Sequence, residues 1–411
     1  MNTTKKPYRQ RRIPFKRKGI DFAKRNRHSW RNDAEARGRE YHAFLEGLWE
    51  LAKAPRQEHA PTVISTFAGG GGSSLGYHMA GFNELMAVEW DAEACMTLRE
   101  NFPDMFVHEG DVGELTVENV FSLTGLQRGE LDVFDGSPPC QGFSTAGKRR
   151  DDDPRNRLFE QYIRLLRGLA PKVMIMENVT GLTTGKMKPV FFEVVKAIEE
   201  SGYKVEARIL VSSHYGAPQN RRRVIFVGVR HDLARAGFRP AHPKPTHVPL
   251  AVGHAMWGVD ELPLHQEDRE MLLSENHRSS FKLWKITSNG DRYCDVTGNP
   301  TTGYGARKLD PARPSFTLVK NDQNLGMHGT MHWEEKRRLT RPEAARLSGF
   351  PDGYVFEPDW AGGIRQMGNC VPPPMAYAVA CAVRDQIIYP FRLGEPPEAI
   401  EGSARNMEDL I

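Results

Sequence analysis

The stretch that decides the fold is TVISTFAGGGGSSLGYHMA, residues 62–80. TVISTF is a short β-branched run, Gly69 to Gly72 follow it directly, and SSLGYHMA reads as a helix. A strand that breaks on glycine and restarts as a helix opens a strand-helix-strand unit. Glycines at that turn let a ligand approach the backbone and the N-terminus of the next helix. A glycine turn alone also suits a purely structural tight bend.

Outward from this stretch the alternation continues. ELMAVEWD (84–91) reads as a strand, AEACMTLREN as a helix and MFVHEGD (105–111) as a strand. LDVFDGSPPC (131–140) gives a fourth strand and RLFEQYIRLLRGLA (157–170) a helix. KVMIMENV (172–179) and RRVIFVGV (222–229) are apolar runs that suit buried parallel strands. This rhythm predicts an α/β fold with a doubly wound, mostly parallel sheet, whose ligands sit at the carboxyl ends of the strands.

The 411 residues, 39% of them hydrophobic, suffice for one large core and a smaller satellite domain. No run approaches the roughly 18–20 apolar residues of a membrane span, and no apolar stretch follows the basic N-terminus as a secretory signal requires. The five cysteines (95, 140, 294, 370 and 381) form no C-x-x-C pair, which speaks for free thiols in a reducing cytoplasm. Residues 1–31 carry twelve Lys and Arg against Asp21 alone, so this segment is +11 in a chain of net charge +4. Such an arm is attracted to polyanions such as nucleic acid. Residues 33–52 have the pattern of an amphipathic helix, and 54–61 read as a linker into the main domain.

The expected organisation is a basic extension and helix over 1–60, a main α/β domain over 61–229 and a smaller domain over 230–330. A C-terminal region over 331–395 includes a helix, 372–388, expected to return to the main domain, and 396–411 form a tail. Residues 230–306 begin Pro-rich and later mix aromatics, bases and turns, as suits a small β-rich unit entering a groove. His242 and His247 lack cysteine or carboxylate partners at ligand spacing, so a linker is expected there and no metal.

Candidate site residues cluster at the predicted strand ends. Glu89 ends the second strand about 20 residues after the glycines, where an acid binds both ribose hydroxyls. Trp90 beside it offers a ring face, Asp111 ends the third strand, Cys140 follows the fourth and Glu177 ends the fifth. The dinucleotide fingerprint G-x-G-x-x-G/A is not met, because Ser74, Leu75 or Ser73 falls at a required glycine. S-adenosylmethionine, which has no phosphates, is therefore favoured over a pyrophosphate cofactor.

These blocks together resemble the DNA (cytosine-5)-methyltransferases, over most of residues 62–385 and in that family's order. FAGGGGSSLGYHMAGF resembles the cofactor motif, with Phe67, Gly69, Gly70, Gly71 and Gly72 around the methionine moiety. VEWD resembles the block in which Glu89 holds the ribose and Trp90 stacks on adenine. Asp111, with Val112 beside it, matches the residue that meets the adenine amino group. GSPPCQGFS (136–144) is similar to the nucleophile loop, MENV to the block carrying Glu177, and QNRRR (219–223) to Q-x-R-x-R. LTRPEAARLSGFPD (339–352) and MGNCVPPPMAYAV (367–379) match two C-terminal blocks.

The resemblance implies a seven-stranded, Rossmann-like class I S-adenosylmethionine-dependent methyltransferase with a smaller target-recognition domain. It implies Cys140, Glu177, Arg221 and Arg223 as catalytic residues, and adds Pro139, Asn369 and Cys370 to the cofactor contacts, Cys370 at a variable motif position. It further implies double-stranded DNA as partner and a monomer in the bacterial cytoplasm or nucleoid, with room for a separate cognate restriction endonuclease. STAGKRRDDDPRNRLF (144–159) resembles the loop that closes over DNA. Gln141, Ser144, Lys148, Arg149, Arg150 and Arg155 are then its expected DNA contacts.

The chemistry is consistent with those residues. Carbon 5 of cytosine is too weak a nucleophile to take a methyl group from a sulfonium; a thiolate added at carbon 6 makes it enamine-like. Cys140 is the expected thiolate, aided by positive charge from Arg221 or Arg223. Glu177 faces N3 and the exocyclic amine, and Arg223 meets the carbonyl oxygen or an adjacent phosphate. The base that removes the carbon-5 proton stays open between an ordered water and a side chain. The target must leave the duplex stack, at about a few kcal/mol. Three rivals are an RNA cytosine-5 methyltransferase, a non-catalytic DNA-binding relative and an NAD-dependent oxidoreductase. Gly142-Phe143-Ser144, the intact Cys140 and Glu177, and the absent fingerprint speak against them in turn.

Overall fold

The computed structural model describes residues 29–139, 154–264, 266–274, 288–292, 296, 307–320 and 329–395. In chain order the elements are α1 (Ala34–Lys53), β1 (Thr62–Thr66), α2 (Gly72–Met79), β2 (Asn83–Glu89), α3 (Ala92–Asn101) and β3 (Phe106–Glu109). There follow α4 (Val117–Thr124), β4 (Val133–Gly136), α5 (Pro154–Leu169), β5 (Val173–Val179), α6 (Lys188–Glu200), β6 (Tyr203–Val211) and β7 (Arg222–Arg230). The remainder comprises α7 (His231–Arg235), α8 (Val252–Ala255), α9 (Gln266–Ser274), β8 (Arg307–Lys308), β9 (Thr330–Met331), α10 (Arg341–Ser348), α11 (Trp360–Asn369), α12 (Pro373–Val383) and α13 (Tyr389–Leu393). A π-helical turn, Arg384–Ile388, joins the last two helices.

Seven strands form one sheet in the order β3-β2-β1-β4-β5-β7-β6. β1 to β5 pair in parallel, so the doubly wound reading holds, with one correction. RRVIFVGV, expected as a parallel strand, is β7, and it runs antiparallel to both β5 and β6. The cause is the connection. Only residues 212–221 separate β6 from β7, and Ser212 and Arg221 close that turn through a backbone hydrogen bond of 2.9 Å. A parallel return would need a crossover of a dozen or more residues. β6 and α6 are not anticipated by the sequence reading. β6 is an edge strand whose exposed Lys204 and Arg208 interrupt its apolar run.

The sheet is covered on both faces. One face packs Ile64, Phe134, Met174 and Met176 under α5 and α6, through Tyr162, Leu166, Phe191 and Val194. The other packs Val63, Ile175 and Val227 against α12 through Met375, Val379 and Val383. Within the stretch expected as one helix over 372–388, the α-helix covers Pro373–Val383 and packs on this face of the sheet. α12 lies close on α2 because Gly76 has no side chain; a Cβ there would stand 2.5 Å from that of Ala376.

A third apolar cluster joins α1 (Tyr41, Phe44, Leu45, Leu48) to Leu250–Val259, Leu318 and the helices α10 and α11. The buried positions of α1 recur at helical spacing, and Tyr41 donates its hydroxyl to the carbonyl of Arg346 at 2.8 Å. α10 begins with a reciprocal cap between Thr340 and Glu343. Among the described residues no helix is long and apolar enough to cross a membrane.

Candidate active site

The glycine turn and the end of β2 form one face of the site. Glu89 is buried, and its carboxylate accepts the amides of Gly69 at 2.7 Å and of Trp90 and Asp91 at 2.9 Å each. Burial pushes its pKa up, and those three amides partly offset the push. The Trp90 ring beside it is 80% exposed. Phe67 and Gly69 both take positive φ, 57° and 55°, which turns the chain sharply at the end of β1. A Cβ on Gly69 would meet nothing within 4 Å, so this glycine faces open space. Gly70 and Gly72 face protein instead: a Cβ on Gly72 would lie 2.3 Å from the carbonyl oxygen of Val371.

The other expected cofactor residues lie at or just beyond the ends of β3, β4 and α11. Asp111 is exposed just beyond β3 and accepts the Gly113 amide at 2.8 Å, while Val112 is buried. Pro139 is half-buried beyond β4. Asn369 is exposed at the end of α11. Cys370, which follows, is buried; its thiol donates to the carbonyl of Met367 at 3.1 Å, and burial pushes its pKa up to about 11.

Several partners of this region carry no signal in the sequence. Tyr354 donates to the carbonyl of Gly70 at 2.8 Å. Arg365 of α11 pairs with Asp91 and Glu93, which follow Trp90 at the start of α3. An open space at Gly69, an uncovered indole and a buried acid beside both fit an adenosine-bearing cofactor.

β5 and β7 form the second face. Because β7 is antiparallel, its first residues reach the same sheet edge as the carboxyl end of β5. Arg223 stands opposite Val179 in the register, so its diagonal neighbour on the same face is Glu177. Arg223 Nε meets Glu177 Oε1 at 2.5 Å, with 13% of each side chain exposed. Asn178 donates Nδ2 to the carbonyl of Pro138 at 3.0 Å, fixing the segment that leads to Cys140.

Arg221 departs from the expectation of a directly catalytic group. It is 1% exposed, and Nη1 and Nη2 donate to the carbonyls of Leu318 and Gly368 at 2.9 Å each. Cys140, Gln141, Ser144, Lys148, Arg149 and Arg150 lie outside the described residues, as do the side chain of Arg155, Cys294 and the basic arm 1–28. His242 is buried and His247 half-buried, and their desolvation pushes the pKa values down to about 3 and about 4.

Asp135, on β4 before the segment leading to Cys140, is buried near Tyr77, Glu84 and Glu177, and burial raises its pKa from 3.8 to about 8. A carboxyl whose folded value lies above its unfolded one stabilises the fold fully below the unfolded value. That contribution is lost as pH rises through the window from about 4 to about 8. Asp135→Asn should therefore flatten the fall in urea midpoint between about pH 5 and pH 8; an unaltered slope would contradict this.

The sheet order, the glycine turn facing a buried acid and the inverted strand beside the edge define a class I S-adenosylmethionine-dependent methyltransferase. The family model for C-5 cytosine-specific DNA methylase matches residues 61–384. The type II methyltransferase M1.HphI of Haemophilus parahaemolyticus is 36% identical over 335 residues, covering 78% of this chain and 86% of that protein. M.XorII of Xanthomonas oryzae is 32% identical over 365 residues, with 78% and 83% covered. A putative DNA modification methyltransferase from an Escherichia coli prophage superposes with a TM-score of 0.63 at 26% identity, covering 80% of this chain and all of that one. Spodoptera frugiperda DNMT2 shares the fold, with a TM-score of 0.56 at 19% identity. The chain belongs to the C-5 cytosine-specific DNA methylase family, and its cofactor is S-adenosylmethionine.

Proposed function

We propose that this protein methylates carbon 5 of a cytosine extruded from a specific duplex DNA sequence, through a transient bond between Cys140 and carbon 6. The observation that carries this reading is the Glu177–Arg223 pair, set at the sheet edge beside the segment leading to Cys140. S-adenosylmethionine would be held at the carboxyl ends of β1 and β2 and would supply an electrophilic methyl group. Glu89 would hold the ribose hydroxyls, Trp90 the adenine ring and Asp111 its amino group. Phe67 and the glycines would hold the methionine end, with Val112, Pro139, Asn369 and Cys370 as further contacts.

Cys140 Sγ, as thiolate, adds to carbon 6, and the displaced electron pair is taken up at N3 with a proton that Glu177 donates. Arg223 holds Glu177 Oε1, leaving Oε2 for the ring. Carbon 5, now enamine-like, would take the cofactor's methyl group as the sulfur keeps the pair of the broken bond. The carbon-5 proton then passes to an ordered water or a side chain, N3 returns its proton to Glu177, and the pair left behind expels the Cys140 thiolate and restores the ring. Gln141, Ser144, Lys148, Arg149 and Arg155 meet the DNA around the extruded base. The names of the relatives, type II methyltransferases, support a modification role; a separate cognate endonuclease and a monomer acting in the cytoplasm belong to the same proposal.

Incubation with methyl-labelled S-adenosylmethionine and separate DNA and tRNA pools tests the reading. Label in DNA is expected; label in tRNA alone, or in neither, contradicts it. Glu89→Ala should weaken binding of S-adenosylhomocysteine by roughly 10- to 100-fold, the worth of one or two lost hydrogen bonds to a charged group. Calorimetric titration measures this, and wild-type affinity in the variant would remove Glu89 from the cofactor site.

A further inference from the structure

Arg221 leads the largest of the fully buried side chains, yet its terminal nitrogens reach carbonyls rather than a carboxylate. Burying a guanidinium in this way is costly. Burial, and Arg223 after it, press its pKa down to about 10. The two carbonyls explain why the charge is there. Leu318 lies near the end of residues 230–330, the stretch read as target recognition, on the segment that returns from its Pro-rich and aromatic part, 230–306. Gly368 lies in the last turn of α11, directly before Asn369 and Cys370, and the next residue, Val371, abuts Gly72 of the cofactor turn.

The two segments touch where Arg221 grips them. A Cβ on Gly368 would stand 2.2 Å from the amide nitrogen of Lys320 and 2.4 Å from the carbonyl carbon of Val319. Gln219, two residues before Arg221, reinforces the joint. Its Nε2 donates to the carbonyl of Leu347 at 3.2 Å, and its Oε1 accepts the Leu318 amide at 3.3 Å. Below them Ser315 and Asn220 donate their amides to the carbonyls of Pro218 and Asn220's partner Ser315, at 2.8 Å each.

We infer that Arg221 is a positioning residue that fastens the segment returning from the recognition region to the cofactor-facing end of α11, so that DNA and cofactor seating share one joint. The roles of the two segments rest on the function proposed above; the joint itself rests on the contacts. Lysine cannot reproduce it, because one ammonium does not span two carbonyls as a planar fork does. Alanine at Gly368 attacks the same joint from its other side and leaves the guanidinium in place.

The test uses the full chain and the variants Arg221→Lys, Gly368→Ala and their combination. Hydrogen exchange is followed at 316–320 and 366–372, with S-adenosylhomocysteine affinity and the separate KM and kcat values. Both single variants should exchange faster at both segments and bind S-adenosylhomocysteine roughly ten-fold more weakly, the worth of about one hydrogen bond to a charged group. KM for cofactor and for DNA should rise together, by more than kcat falls, and the combination should fall short of additivity. An Arg221→Lys protein with wild-type exchange at both segments and wild-type S-adenosylhomocysteine affinity, but lowered kcat, would overturn the inference and return Arg221 to the reacting base. Should the wild-type chain bind no S-adenosylhomocysteine, the functional reading fails, and the exchange data still decide whether the joint exists.

Discussion

Cys140→Ala is expected to abolish methyl transfer, by roughly four orders of magnitude or more, while S-adenosylhomocysteine binds as in the wild type. The size of the effect follows from the chemistry. Without a nucleophile at carbon 6 the ring keeps its aromaticity, and carbon 5 has no electron pair to offer a sulfonium. Serine in place of cysteine should fail almost as completely, since a hydroxyl is far less ionised than a thiol near neutral pH. The cofactor should be indifferent because the cysteine acts on the base. Pro138, whose carbonyl Asn178 holds, and Pro139 set the approach of residue 140 from stiff backbone. A duplex carrying 5-fluorocytosine at the target lacks the proton that must leave, so the wild-type adduct should persist through denaturing electrophoresis. Comparable turnover by Cys140→Ala would overturn the covalent route.

Glu177→Gln is expected to lower kcat by about 10²- to 10⁴-fold, the usual worth of a positioned acid or base. The amide keeps the shape of the carboxyl and loses its capacity to hold or release a proton at N3. It also leaves Arg223 facing a neutral oxygen where a carboxylate stood at 2.5 Å. Arg223→Lys should act through the same pair, since an ammonium does not fix a carboxylate as a fork does. In both variants S-adenosylhomocysteine affinity should stay near wild type, because β4 stands between β5 and β1, whose end carries the turn at Gly69. Single-turnover kinetics with cofactor and DNA saturating reads the chemical step alone. A Glu177→Gln enzyme within about three-fold of wild type in that assay would remove the acid from the reaction.

Much of this site was legible in the sequence because strands buried on both faces write themselves as apolar runs. β1, β4 and β5 are of that kind, and the glycines and acids that close them mark their carboxyl ends. β6 was illegible because an edge strand with exposed Lys204 and Arg208 has no such run. The direction of β7 was illegible for a different reason: periodicity carries no polarity. That inversion matters most for function, since it carries Arg223 to Glu177. The three adjacent arginines of QNRRR look alike on paper. Arg222 is exposed, Arg223 is mostly buried against Glu177, and Arg221 is fully buried on carbonyls of residues 318 and 368. Contacts across a hundred residues or more leave no trace in local sequence. The amphipathic stripe of α1 was readable, whereas its partners, Leu250–Val259 and α10, were not.

The most direct test of the central claim is base-resolution mapping of 5-methylcytosine in DNA from a host expressing this protein, beside the same host expressing Cys140→Ala. Methyl groups confined to carbon 5 of cytosine in one short sequence context, absent from the variant, are the predicted result. A wild-type map without 5-methylcytosine, or one that Cys140→Ala reproduces, would contradict it.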